Sequence, residues 1–369
     1  MALFDEDRLR PEPRRPQSRA RQAGWWLLGI AAVVAGVFAA SPAPYVIEQP
    51  GPVYDTLGTA QTSDGGEVPL ISIPDETTFP TEGNLDLLTV SIVGNPQQQP
   101  TWIEIGGAVL DDSRAVVPIE AVFPADLTQE ERDEQNQTLM VDSQQDAIAA
   151  ALVALGYDFP RDVTVIALLE DSAAEGELEE GDVITSVNGE PVHDIATLRA
   201  VIQENGTEPA AIEVERDGES VDAEVTPTDV DGTLLIGVGV TMAYEFPIDV
   251  QIQLDDVGGP SAGLMFALGI IDKLTPDAMT GGERIAGTGT IDSAGNVGAI
   301  GGIVQKMHGA LGAGADWMLA PIGNCDEVTG NVPGDLEVFA VTTLDEAMGV
   351  VDVIAAEGDL ETLPRCPAS

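Results

Sequence analysis

Gly258-Gly259-Pro260-Ser261-Ala262-Gly263 runs straight into Leu264-Met265-Phe266-Ala267-Leu268-Gly269-Ile270-Ile271-Asp272-Lys273-Leu274, and this junction decides how the C-terminal part of the chain folds. The second half is apolar enough for a buried helix, which Thr275-Pro276 stops. The first half is a glycine-rich turn at the helix start. A serine at that place is exposed, and the neighbouring backbone N–H groups and the helix dipole can stabilise a developing oxyanion. Read by itself, the same serine is equally an ordinary N-cap.

A second constellation follows. Ile285-Ala286-Gly287-Thr288-Gly289-Thr290-Ile291 leads through the turn Ser293-Ala294-Gly295-Asn296 to Val297-Gly298-Ala299-Ile300-Gly301-Gly302. The helix that then begins carries Lys306, one of two lysines among 369 residues, set among Ile303, Val304, Met307 and Ala310. Burial disfavours an ammonium ion, so such a lysine can offer a neutral amine as a base to a serine nucleophile.

Together these residues resemble the proteolytic domain of Lon proteases. Gly259-Pro260-Ser261-Ala262-Gly263 is similar to that family's nucleophile motif. Thr288-Gly289-Thr290-Ile291 and Ile300-Gly301-Gly302 with Lys306 follow its order and spacing, and Asp316–Pro321 fits its next strand. The resemblance implies Ser261 as nucleophile, Lys306 as general base and Thr288 as the group that orients the amine, with Gly259, Pro260 and Ala262 shaping the turn. The chain departs from the family at two points. Gly258 stands where many Lon enzymes carry an acid, and the family's paired lysines are reduced to Val304-Gln305-Lys306. No G-x-x-x-x-G-K-[ST] occurs within these residues, which argues against an ATPase module of the Lon kind.

Upstream, residues 161–230 read as a compact β-rich unit. Ser172-Ala173-Ala174-Glu175-Gly176-Glu177-Leu178-Glu179-Glu180-Gly181-Asp182-Val183-Ile184 leads to the turn Asn188-Gly189. A helix near Ile195–Gln203 and an Asp217-Gly218 hairpin follow. This unit resembles a PDZ domain of the bacterial protease type, which implies capture of an extended peptide by strand addition. No glycine-rich carboxylate-binding loop precedes its first strand, so the capture site has no position in the sequence, and a spacer role is the alternative. Residues 45–150 contain short strand-like runs, such as Leu85–Val93. Thr128 and Glu131 form a capping-box pattern ahead of the alanine-rich helix Ser143–Leu155.

The chain carries 63 acidic and 15 basic side chains, for a formal charge of −48. Such a field repels polyphosphate and excludes nucleic-acid binding. Six of the 15 basic residues fall within the first 21, and the residues after them hold nine basic and 59 acidic groups, a formal charge of −50. An arginine-rich start before the uncharged run Gly24–Ala40, which Trp25, Trp26 and Tyr45 bracket, reads as a transmembrane anchor with a cytoplasmic N-terminus. A signal peptide cleaved after Val37-Phe38-Ala39 is the alternative, and either reading exports the rest. Cys325 and Cys366 suit an exported chain as one structural bridge, the other reading being two free buried thiols. No Cys/His cluster stands at metal spacing, and neither metal nor cofactor is expected.

The expected architecture is therefore α+β: one N-terminal transmembrane helix, a β-rich PDZ domain and a C-terminal Lon-type α/β proteolytic domain. The expected boundaries are 1–23 cytoplasmic, 24–44 anchor, 45–160 an extracytoplasmic segment (separate, or packed on the protease), 161–230 PDZ, 231–355 proteolytic and 356–369 tail. This order is similar to that of the membrane-anchored PDZ-containing Lon-like peptidases of Gram-positive bacteria. The resemblance implies ATP-independent cleavage of exported or membrane proteins at the cell surface, by a Ser-Lys dyad, in a homo-oligomer that is a hexamer by analogy. Two other readings compete. A trypsin-like triad lacks histidines in the right places, since only His193 and His308 exist. A non-catalytic PDZ chaperone or adaptor needs neither Ser261 nor Lys306.

Overall fold

The computed structural model describes residues 19–61, 65–124, 127–169, 172–230, 232–254 and 257–367, with side chains from 24 onward. The chain divides into two compact units. One holds the described residues up to Ile47 with Ile92–Pro124, and the other holds Glu48–Ser91 and the chain from Ala125 onward.

In the first unit, helix α1 spans Arg19–Ala39, α2 Trp102–Ala108 and α3 Ile119–Val122. Thr101 and Glu104 close a capping box on α2. Trp102 stacks on Phe38 at 5.6 Å and meets Tyr45 edge-on at 5.9 Å, over a small core of Ala43, Ile47, Ile105 and Ala108. Among the described residues no helix is long and apolar enough to cross a membrane. The expected span of 24–44 is cut short because Pro42 and Pro44 cannot continue a helix. Pro42 instead bridges to Thr101, and the Ala43 N–H donates to Pro100 O. Residues 24–39 cover roughly 24 Å at ~1.5 Å per residue, against a hydrocarbon layer of ~30 Å. The arginine-rich residues 1–18 lie outside the described part.

The second unit begins its helical part with α4, Gln129–Ala154. Thr128 accepts from the Glu131 N–H and the Glu131 carboxylate accepts from the Thr128 N–H, as the sequence pattern required. The β-rich sheet follows in the order Glu219–Val225, Ala210–Arg216, Val183–Val187, Arg161–Leu168, Val238–Tyr244, with α5, Ile195–Asn205, packed beside it. Both expected hairpins form. Asn188 and Gly189 have φ of 53° and 77°, Asp217 and Gly218 have 53° and 81°, the left-handed geometry that two-residue hairpins need.

The boundary expected at 230 is a correction. The run around Val238–Val240, which opens the proteolytic domain in the sequence reading, instead pairs antiparallel with Arg161–Leu168. Val238, Val240 and Met242 alternate onto the core of this unit, so burial on that face outweighs proximity in sequence to the next domain.

The remaining helices are α6, Gly263–Leu274, α7, Ile303–Ala313, α8, Cys325–Val328, and α9, Leu344–Ala355. They surround a second sheet ordered Glu337–Val341, Trp317–Pro321, Arg284–Gly287, Asn84–Val93, Tyr45–Asp55. Arg284–Gly287 runs parallel to both Asn84–Leu87 and Trp317–Leu319. Of the 45–160 segment, residues 48–91 and 125–160 therefore belong to the same unit as these helices, while 92–124 belong to the first unit. Leu85 and Leu87 from its strand and Ala147–Leu152 from α4 share one core with Leu264–Ile271 of α6. Alanines on α4 let the two helices approach closely, which buries α6 on every side from Gly263 to Asp272.

The tail is fastened along the last strand. Ala340 N–H donates to Pro364 O at 2.9 Å, Arg365 pairs with Glu337 and lies 4.9 Å over the Phe339 ring. Cys366 is joined to Cys325 in a disulfide that spans 41 residues.

Candidate active site

Ser261 stands two residues before α6, in a turn whose shape the glycines set. Gly259 has φ of 88°, a conformation that costs a β-carbon, and its N–H donates to Asn136 O at 3.2 Å. That N–H is therefore committed and unavailable to an oxyanion. The donors left for such a role belong to the turn Ser261–Gly263, because the first N–H groups of a helix have no intrahelical acceptor. Gly263 is required by contact. A β-carbon there would lie 2.9 Å from Ile291 Cγ2 and 3.0 Å from Ser143 Oγ.

The backbone of Ser261 is pinned. Its carbonyl accepts from the Gly289 N–H at 3.0 Å and from Thr288 Oγ1 at 2.9 Å. Pro260 O accepts from Ser143 Oγ at 2.9 Å. Ala262 is buried beneath the turn.

Lys306 comes from the first turn of α7, whose cap Gly302 adopts φ of 68°. A β-carbon on Gly302 would also strike Val90 Cγ2 at 2.7 Å. Lys306 is 2% exposed, and its helix packs Ile303, Met307 and Ala310 against Leu88, Ala286 and Met318. Nζ lies 2.7 Å from Ser261 Oγ and 2.9 Å from Thr288 Oγ1. Burial pushes the Lys306 amine down to about 7. The Thr288 hydroxyl proton is used on Ser261 O, so its oxygen accepts from Nζ. A neutral amine in this place turns its lone pair toward Ser261 Oγ.

The structure thus brings Ser261, Lys306 and Thr288 together, with Gly259, Pro260 and Ala262 framing the nucleophile turn. A cleft of about 520 Å³ opens over Ser261 and Lys306, lined by Tyr54, Thr89, Val90, Met140 and Val257 among others. Cys325 and Cys366 lie apart from this cleft, in the tail staple. Among the described residues no three His, Cys, Asp or Glu side chains are placed to hold a metal ion.

A second groove, of about 320 Å³, lies in the β-rich unit between α5 and the edge strand Val238–Tyr244. Ile195, Leu198, Ile202, Ile236 and Val238 line it. Its end is the turn Leu235-Ile236-Gly237, with Gly237 at φ of 76° and its carbonyl accepting from the Leu169 N–H and Ser172 Oγ. This glycine turn enters the last strand of the unit, Val238–Tyr244, a place the sequence does not single out. Ser143 and Asn136 are also missed. Their contacts join positions more than a hundred residues apart, and no local spacing records such a contact.

A serine hydroxyl 2.7 Å from a buried lysine whose amine is held at about 7 is an arrangement able to serve a serine hydrolase. Comparison with known proteins agrees. Residues 254–353 match the Lon protease C-terminal proteolytic domain, and residues 165–216 match a PDZ domain. The chain thus carries a Lon-type serine peptidase domain together with a PDZ domain. It is 36% identical over 113 residues to Lon protease 2 of Herpetosiphon aurantiacus, covering 29% of this chain and 14% of that protein. It is 29% identical over 141 residues to Lon protease of Haemophilus influenzae, covering 35% and 17%. The chain spans less than a fifth of the length of these relatives. Among solved structures, the PDZ domain of an SdrC-like protein from Listeria innocua matches 21% of this chain and 92% of its own, at 26% identity and a TM-score of 0.21.

Proposed function

We propose that this chain is an endopeptidase that cleaves exported or membrane proteins outside the cytoplasm, without ATP, by a Ser-Lys acyl-enzyme mechanism. The single observation that carries the reading is the 2.7 Å approach of a buried Lys306 Nζ to Ser261 Oγ. Neutral Lys306 takes the proton from Ser261 Oγ as that oxygen attacks the scissile carbonyl carbon. The carbonyl oxygen becomes an oxyanion held by N–H groups of the turn at the start of α6. The intermediate collapses, the C–N bond breaks, and protonated Lys306 returns its proton to the leaving amine. Water, deprotonated by the same amine, then attacks the acyl carbon and frees Ser261. Thr288 keeps the amine aligned throughout.

An extended substrate fits the cleft. Arg284–Gly287 pairs with the strand Asn84–Val93 only as far as Leu87, so Thr89 and Val90 border the cleft where that ladder has ended. The groove beside α5 is where a peptide would add to the edge strand Val238–Tyr244. Membrane attachment rests on the arginine-rich start, the fully uncharged run after it and the exposure of Trp25, Trp26, Val33, Val37 and Phe38 around α1. The disulfide suits an oxidising compartment. A ring of subunits rests on analogy with Lon enzymes.

The test uses the full chain in detergent or vesicles with labelled casein, in buffer without nucleotide. Cleavage by wild type and none by Ser261→Ala or Lys306→Ala supports the reading. Binding of casein without cleavage by all three proteins overturns it in favour of an adaptor.

A further inference from the structure

Helix α4 touches the nucleophile turn twice. Asn136 O accepts from the Gly259 N–H at 3.2 Å, and two helical turns later Ser143 Oγ donates to Pro260 O at 2.9 Å. Met140, between them on the same face, lines the cleft. Ser143 is 3% exposed and also abuts Gly263, the first residue of α6. The residue before the nucleophile thus has its carbonyl oriented by a buried hydroxyl from a different helix.

One turn beyond Ser143 on α4, Asp146 accepts a hydrogen bond from Tyr244 Oη at 2.5 Å. Tyr244 is the last residue of the PDZ edge strand Val238–Tyr244, whose first residues line the groove beside α5. Its ring is held by Phe246, stacked at 5.2 Å, and by Phe159 at 6.5 Å. A rigid strand, one hydrogen bond and one helical turn therefore connect the groove of the PDZ unit to the carbonyl that precedes Ser261.

We propose that Ser143 and Tyr244 are positioning residues for the nucleophile: Tyr244 fixes α4 through Asp146, Ser143 fixes the Ser261 turn from α4, and the state of the PDZ edge strand thereby reaches Ser261. The proposal rests on the proteolytic reading for its kinetic consequences, and on hydrogen bonds alone for its mechanical ones. A shift of α4 by a fraction of an ångström moves Ser261 Oγ against Lys306 Nζ, and catalysis is steeply sensitive to such displacement. Neither residue touches substrate. Their loss acts on kcat and leaves KM in place.

Two measurements on the full chain test it. In casein cleavage, Ser143→Ala and Tyr244→Phe each lower kcat by roughly tenfold with KM unchanged. Ser143→Thr, which keeps the hydroxyl, restores most of the loss. The double variant is no worse than the weaker single one, because both substitutions cut one chain of contacts. Asp146→Ala, which removes the acceptor, provides a second break at the same joint should Tyr244→Phe fold poorly. Separately, hydrogen exchange over residues 257–263 is faster in Tyr244→Phe and in Asp146→Ala than in wild type. Losses that multiply independently, a Ser143→Ala enzyme with wild-type kcat, or unaltered exchange at 257–263 overturn the proposal. If wild type cleaves nothing, the proteolytic reading fails, and the exchange measurement alone decides the linkage.

Discussion

Lys306 Nζ reaches Ser261 Oγ at 2.7 Å from the first turn of a different helix, 45 residues further along the chain. The turn before α6 and the turn before α7 are both built on left-handed glycines, Gly259 and Gly302. Thr288 lies between them and holds both ends, accepting from the amine and donating to the Ser261 carbonyl. The arrangement is prepared before any substrate arrives, which is what a low reorganisation cost requires.

Removing either partner should stop cleavage. Ser261→Ala deletes the attacking oxygen and Lys306→Ala the base, so each lowers kcat by roughly 10⁴-fold or more, and the double variant falls little further. His308 sits two positions beyond Lys306 on α7, where helical geometry turns it to another face. His308→Ala should retain casein cleavage within about twofold. A loss that follows His308 rather than Lys306 would sink the dyad.

Activity should rise with pH. Lys306 acts when neutral, and burial holds its amine at about 7. Below that value the amine is protonated and idle; above it the base form saturates. A profile of log kcat against pH should climb with unit slope below about 7 and level off above. A bell centred well under 6, or a profile that still climbs steadily to 10, contradicts the assignment.

The same shift has a cost in stability, and its sign is fixed. The folded state holds a proton on Lys306 less tightly than the unfolded chain, where lysine titrates near 10.4. Below about pH 7 the buried ammonium penalises folding in full. The penalty is relieved as pH rises from about 7 towards about 10.4, because the unfolded chain releases its proton only there. Lys306→Met removes the charge and keeps the packing, so it should be inactive yet more stable than wild type. The gain is on the order of 5 kcal/mol below pH 7 and fades above pH 10. Denaturant titrations at pH 6.5 and pH 10 read the difference. An equally large gain at both values would show that packing rather than charge is responsible.

Much of this site was legible because its residues stand in short local patterns. Gly259–Gly263 predicted an exposed turn on a buried helix, and the scarcity of lysine singled out Lys306. The Thr128–Glu131 box marked the start of α4, and the Asn188-Gly189 and Asp217-Gly218 hairpins formed as read. What escaped depends on pairing over distance. Val238–Tyr244 is apolar at alternate positions and would suit either neighbouring sheet; only the partner Arg161–Leu168 decides between them. Ser143 reads as one polar residue in an alanine-rich helix until Pro260 is brought to it. The apolar run expected at 24–44 is helical only as far as Ala39, since Pro42 and Pro44 cannot continue α1.

The C-terminal staple offers a test that does not depend on catalysis. Cys325 and Cys366 close a loop of 41 residues, worth ~4 kcal/mol by the entropy it removes from the unfolded chain. The same tail keeps other contacts, Pro364 with Ala340 and Arg365 with Glu337 and Phe339, so it should stay in place when the bond is cut at low temperature. Cys366→Ser should therefore leave casein cleavage at 25 °C near the wild-type rate while lowering Tm by roughly 5–10 °C. Wild type treated with reductant should fall to the Tm of the variant, and reductant should not move the variant further. A variant that unfolds at the wild-type temperature would mean that the tail contacts alone hold the last strand. An immediate loss of cleavage at 25 °C would instead connect the staple to α7, whose Met307 and Ala310 share a core with Val328 of α8 and Cys366.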